Sequence, residues 1–360
     1  MKKPNSMSAN QVDGVVGKTP FLRVLGREIF APPPIWLMRQ AGRYLPEYKA
    51  LRRKAPNFLK FCYSPKLAVE ATLQPLRRYH LDAAIVFSDI LVIPDALGCG
   101  VCFREGVGPL VTPLEGLDGI GSVETTLFQA HLEPVYETIA TTKDRLENDV
   151  ALIGFAGAPW TLATYLIEGR GGSDFVNAKR RALVEPEAFS RLVDVLVEAV
   201  VLHLVRQFEA GADAVQIFDS WAGVLSETEF RKWVIVPTRE IVRRVREAKP
   251  GARIIGFPRG AGALYLDFAL ETGVDAVSLD SAVPLAWAAA SLQGQVAVQG
   301  NLDNTALLVG GEAMRTAAES ILDTLGAGPL IFNLGHGVLP ATPPDHVAEL
   351  VALVRAWGGS

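Results

Sequence analysis

Eight short runs of β-branched, aromatic and small apolar residues recur along the chain, each bounded by turn residues and separated from the next by a stretch of helical periodicity. They are PIWLM (residues 34–38), DAAIVF (82–87), VALIGFAG (150–157), AVQIFD (214–219), RIIGFP (253–258), AVSLD (276–280), VAVQGN (296–301) and LIFNLG (330–335). Most are apolar at successive positions rather than alternate ones, as parallel strands covered on both faces require. The intervening stretches, such as SPKLAVEATLQPLRRYH and PEAFSRLVDVLVEAVVLHLVRQFEA, space their apolar residues for a helix and carry proline near the first turn. Eight alternations of this kind predict an α/β fold, a single-domain (β/α)8 barrel of the TIM type over residues 16–360. Residues 1–15 carry two lysines and no apolar run behind them, and are expected to be a disordered lead rather than a secretory signal.

Length alone does not choose between one large domain and two, because barrels of this class often exceed 250 residues. An apolar content of 49% with 21% charged residues lies well inside the globular range. A formal net charge of −4 argues against a general polyanion binder, so no nucleic-acid partner is expected and any anion site must be local. No apolar stretch is long enough to span a membrane. The three cysteines, Cys62, Cys99 and Cys102, are too few for a disulfide framework and suit a reducing compartment, the cytoplasm by default.

Three helix-to-strand joints echo one another: RYHLDAAIVFSD, EAGADAVQIFD and ETGVDAVSLD. The glycine in two of them fits a helix C-cap, and Asp82, Asp213 and Asp275 read as turn residues. The strand-terminal residues matter more, because the C-terminal strand ends build the site of such a barrel. Here they are Arg39, Asp89, Asp219, Ser220, Asp280, Asn301 and His336. The long connection from Asp89 to about Thr125, containing GCGVCFREGVGPLVTP, predicts a β-hairpin excursion over the mouth.

RQAGRYLPEYKALRRK sets Arg39, Arg43, Arg52 and Arg53 just after the first strand. Guanidinium groups stay charged and bind carboxylate or phosphate in bidentate fashion, so this cluster points to an anionic substrate. Arg53 and Lys54 read instead as a solvated face. Asp89, in FSDILVIP, suits a helix cap and a catalytic carboxylate equally well. Tyr165, one and a half turns into the helix begun by Pro159, reads by itself as a core residue. His336 stands between glycines after the eighth strand, where backbone space favours a functional role over a structural one. The VQGN and NLGHG turns lie where barrels often hold an oxyanion on backbone N–H groups. Cys99 and Cys102 form a lone CxxC with no second pair or nearby histidine, and no metal site is expected from it. There is no GxGxxG and no P-loop, so no cofactor is indicated.

PIWLMRQAGRYLPEY, IVFSDIL, GFAGAPWTLATYLIEG, IFDSWAG and FNLGHGVLP, in this order, resemble the uroporphyrinogen decarboxylase family from about Val16 to Trp357. The resemblance implies a cofactor-independent, homodimeric barrel enzyme of tetrapyrrole biosynthesis. Such an enzyme converts uroporphyrinogen III to coproporphyrinogen III by removing four acetate carboxylates as CO2. It further implies that Arg39, Arg43 and Arg52 contact carboxylates and that Asp89 faces the pyrrole N–H groups. Tyr165, Ser220 and His336 fall where the family places other polar contacts, and Phe218 where it places a cavity wall. IFDSWAG departs from the animal pattern, which has Glu and His in place of Asp219 and Trp221; the present form matches bacterial members, and no catalytic role falls to Trp221. Two rivals remain in view: a zinc- or corrinoid-dependent methyltransferase on a related barrel, and a non-catalytic tetrapyrrole carrier using the same arginines.

Overall fold

The computed structural model describes residues 19–104, 106–172 and 174–359; the expected disordered lead lies outside them. Seven parallel strands form one curled sheet in the order β1 (Ala83–Ile85), β4 (Ala151–Gly157), β5 (Ala214–Asp219), β6 (Arg253–Pro258), β7 (Ala276–Ser278), β8 (Ala297–Leu302) and β9 (Leu330–Leu334). All seven coincide with expected runs, with ends shifted by at most two residues. The expected hairpin is also present: β2 (Val101–Arg104) pairs antiparallel with β3 (Gly108–Val111).

The first expected strand is the exception. Within residues 34–38 only Ile35 forms a β-bridge, parallel to Phe332. The cause is local. Proline at 32, 33 and 34 removes three consecutive N–H donors, and the Ile35 N–H is taken by the Asp82 carboxylate at 2.7 Å. The segment is nonetheless bonded on both sides. Phe332 N–H donates to Pro34 O (2.8 Å) and Trp36 N–H to Phe332 O (3.4 Å), while Asp82 N–H donates to Ile35 O (2.9 Å).

Asp82, Asp213 and Asp275 turn out to be strand-start clamps. Each accepts the N–H of a residue on the preceding strand, Ile35, Leu152 and Ile254, at 2.7, 2.7 and 2.8 Å. Each also donates its own N–H to that same residue's carbonyl. Cations on neighbouring elements hold the carboxylates: Arg355, Lys143, and Arg246 with Arg253. The expected left-handed caps precede them, with φ +108° at Gly211 and +77° at Gly273. In the first joint His80, at φ 50°, takes the place of the glycine.

The sheet buries both faces. Ala83, Ile153, Phe218, Ile255, Ala276, Ala297 and Ile331 pack with Trp36 and Met38 on the concave side, whereas Val215, Ile254, Val277 and Val298 pack against the helices and Leu152 packs with Ile139 of the helix Thr125–Lys143. Polar side chains on the concave side bond to one another, leaving Gln216 Nε2 without a partner. Gln299 Nε2 donates to Gln216 Oε1 (3.0 Å) and Ser278 Oγ (3.1 Å), and Trp36 Nε1 donates to Gln299 Oε1 (2.9 Å). Unpaired, such groups would cost about 1–3 kcal/mol each. The helix Pro20–Leu25 stops the N-terminal end of the strands with Phe21, Leu22, Val24 and Leu25. What remains open is the C-terminal end.

Candidate functional site

Immediately after Met38 the chain turns sharply. Arg39 adopts φ 60°, a left-handed conformation costing a non-glycine residue about 1–2 kcal/mol. Buried Gln40 holds the turn: its Oε1 accepts Leu37 N–H (3.0 Å) and its Nε2 donates to Ala83 O (3.1 Å). The GHG turn closes from the other side, where Val338 N–H donates to Met38 O (2.9 Å) and Asn333 Oδ1 accepts Met38 N–H (2.9 Å). Gly337 lies directly under the arginine. A Cβ there would stand 2.2 Å from Arg39 Cδ, so only glycine leaves the path open.

Four expected residues influence one another's ionisation across this opening. Burial raises Asp89 to about 6, against a hydrogen bond from Leu91 N–H (2.9 Å) and the positive charge of Arg39. Arg39 keeps its tip open to water, yet burial lowers its pKa; Asp89 and Tyr165 oppose the fall, and Arg43 and Arg259 add to it. Tyr165 is raised, first by burial and then by Asp89. His336 is lowered to about 4 by burial, Arg39 and Arg259, and its Nδ1 has no hydrogen-bond partner. At neutral pH the imidazole is therefore uncharged. Leu91 N–H donates to Asp89 Oδ1 and closes a local turn, whereas the helix Val92–Ala96 has Leu91 at its N-cap and no side-chain cap; the Asp89 charge is coupled to Arg39.

Phe218 and Ser220 flank Asp219 at the end of β5, with Phe218 edge-on to Phe155 and Phe257. Asp219 itself is buried. Thr161 Oγ1 donates to its Oδ1 (2.5 Å) and accepts Trp221 N–H (3.2 Å); the other carboxyl oxygen has no partner, and burial raises the pKa to about 7. Trp221 in turn packs against Tyr165 and Phe175.

Other expected residues have partners of their own. Arg52 stands at the edge of the group: Tyr48 and Cys62 respond to both it and Asp89, but its Nη1 donates to Ala55 O (3.0 Å) and its guanidinium lies over Phe61. Asp280 and Asn301 serve turns. Asp280 accepts from Gly260 N–H, Tyr265 Oη and Ala282 N–H, and Asn301 Nδ2 donates to the Asp280 and Val283 carbonyls. In NLGHG the Gly335 and Val338 N–H groups already serve the Leu302 and Met38 carbonyls, so they are not free for an oxyanion. Cys99 is buried and Cys102 exposed. Among the described residues no group of three or more His, Cys, Asp and Glu side chains is placed to hold a metal ion, and no helix is long and apolar enough to cross a membrane. Arg259 was missed, although it follows RIIGFP as directly as Arg39 follows PIWLM.

At the C-terminal end of this parallel α/β sheet, then, Arg39 stands coupled to Asp89, Arg43 and Arg259. The family model described as uroporphyrinogen decarboxylase matches residues 17–357. A protein named uroporphyrinogen decarboxylase from Rhodospirillum rubrum is 55% identical over 94% of this chain and 97% of its own length. Others of that name, from Chelativorans sp. and Sinorhizobium fredii, are each 54% identical over 92% and 94% of this chain and 96% and 98% of their own lengths. The chain belongs to the uroporphyrinogen decarboxylase family. Among solved structures, a methyltransferase from Methanosarcina mazei superposes with a TM-score of 0.76 at 20% identity, covering 92% of this chain and 95% of that one. A B12-independent methionine synthase from Shewanella sp. W3-18-1 does so at 0.54 and 12%, covering 91% and 98%. At these identities the likeness concerns the fold alone.

Proposed function

We propose that this protein decarboxylates uroporphyrinogen III, removing its four acetate carboxylates as CO2 to give coproporphyrinogen III. The observation that carries the reading is the Asp89 carboxylate coupled to Arg39, which is in turn coupled to Arg43 and to neutral His336, at the C-terminal end of the sheet. The substrate has the complementary pattern, with N–H donors at its centre and carboxylates round its edge.

Loss of CO2 from an acetate on a pyrrole leaves an electron pair that needs a sink. Protonation of the ring carbon supplies one as an iminium-like cation; once CO2 has left, a second proton completes the methyl group and the proton first added to the ring carbon departs, restoring the pyrrole. The substrate thus acts as its own cofactor. Asp89 receives the pyrrole N–H groups and stabilises the developing cation by preorganised electrostatics. Arg39 and Arg43 hold peripheral carboxylates, since a guanidinium with a pKa above about 12 is a poor acid. Tyr165, Ser220 and His336 supply further polar contacts, and Phe218 a wall. Arg52 has the weakest case as a contact, because Ala55 and Phe61 already engage it.

The same reading carries a homodimer in the cytoplasm and closure of the sheet into an eight-stranded barrel. Closure is supported by the Asp82 clamp, which joins residues 34–38 to β1 as Asp213 joins β4 to β5 and Asp275 joins β6 to β7. The functional test is Asp89→Asn. It is expected to leave a folded protein with kcat lowered by about 100-fold or more; near-normal turnover would remove Asp89 from the centre of the mechanism.

A further inference from the structure

We infer that Arg259, which follows β6, is a further cationic anchor of this site and grips a substrate carboxylate on the rim facing Arg39. The inference rests on the decarboxylase reading and adds a contact that the family-matched motif residues leave out. Its basis is the strand order. With residues 34–38 bonded to β1 on one side and to β9 on the other, β6 lies four strands away in either direction. Arg39 and Arg259 therefore follow strands on opposite sides of the curl. Even so, both lower the pKa of His336, and Arg259 lowers that of Arg39, so both side chains share one opening.

The backbone of Arg259 is held firmly. Its N–H donates to Asp219 O (3.1 Å) and Phe257 O (3.0 Å), and its carbonyl accepts Gly223 N–H (3.0 Å). The next residue, Gly260, has φ +79° and passes so close to Gly223 that a Cβ on the latter would meet Gly260 O at 2.6 Å. Two glycines are needed for that approach, and the result is a rigid mount.

The carboxylate that touches this turn is already engaged. Asp280 accepts Gly260 N–H (2.8 Å), the Tyr265 hydroxyl (2.8 Å) and Ala282 N–H (3.0 Å). Among the described residues the half-buried Arg259 has no ion pair and no side-chain hydrogen bond. A guanidinium so placed is matched to a planar carboxylate. Cations on opposite rims suit a macrocycle bearing acid groups all round, whereas an anion charged at one end needs only one rim.

The test compares wild type with Arg259→Gln, Arg259→Met and Arg259→Lys, measuring KM, kcat and the ladder of partly decarboxylated products from uroporphyrinogen, with thermal melting as the fold control. The Gln and Met variants are expected to raise KM about tenfold or more and to accumulate partly decarboxylated products, with Lys recovering part of the loss. Met keeps the length and apolar stem and decides the matter should Gln melt early. A folded Gln or Met variant within twofold of wild type in KM and product ladder overturns the inference. A wild type that releases no CO2 counts against the reaction instead. The anchor is then judged by equilibrium binding of uroporphyrinogen, which Arg259→Gln must weaken about tenfold and which unchanged affinity would refute.

Discussion

Asp89 pairs a functional demand with a thermodynamic cost. Its carboxyl sits at about 6 in the folded chain against an ordinary 3.8. The folded state therefore binds this proton more tightly than the unfolded state does. Its contribution favours folding below pH 3.8, fades as pH rises toward 6, and above that leaves an ionised group costing up to about 3 kcal/mol. Asp89→Asn, which mimics the protonated carboxyl, is accordingly expected to melt higher than wild type at pH 7.5. The difference should shrink to nothing below pH 3.8. Equal stability across that range, followed by denaturant melts, would contradict the burial of this charge. Activity runs the opposite way, because the ionised form performs the proposed role and turnover should fall as pH drops through about 6. The arginines and Asp89 were legible in the sequence because strand ends and charge coincide there. The ionisation coupling between them was not, since it joins residues far apart in the chain. Arg259 obeys the same strand-end rule but stands outside the basic cluster after the first strand, and its tie to Arg39 exists only in three dimensions.

Strands and joints were legible because their signals are local: β-branched runs, a left-handed cap, an aspartate two residues later. The 34–38 segment shows where locality fails. Its apolar pattern reads as a strand, but the prolines before it withhold donors and Asp82 replaces the missing ladder bond with a side chain. The GHG turn shows the reverse case. Its glycines read as room for an oxyanion, and in the structure Gly337 makes room for an arginine from the other end of the chain. Gly337→Ala places a methyl group in the path of Arg39 Cδ and must push the side chain aside. KM for uroporphyrinogen is expected to rise about tenfold with little change in melting temperature, since misplacing a binding group by about 1 Å can cost up to about 100-fold. A KM within twofold of wild type would detach Arg39 from substrate binding.

At the scale of the molecule, alternation of strand and helix announced a parallel α/β fold, and a single curled sheet with both faces buried is what the chain forms. The N-terminal end is stopped by the helix Pro20–Leu25 and carries the ion-paired aspartates of the strand starts, while Arg39, Asp89 and His336 stand at the opposite end. The polar layer of Gln216, Ser278, Gln299 and Trp36 was invisible in sequence, because each residue sits alone in an apolar run and finds its partners only across the sheet. A solved structure named as a methyltransferase shares this scaffold, so scaffold alone does not decide the reaction. The deciding measurement is anaerobic incubation of the protein with reduced uroporphyrinogen III, with CO2 and porphyrinogen products quantified together. The account predicts four CO2 for each coproporphyrinogen III formed; binding of the substrate without release of CO2 would contradict it.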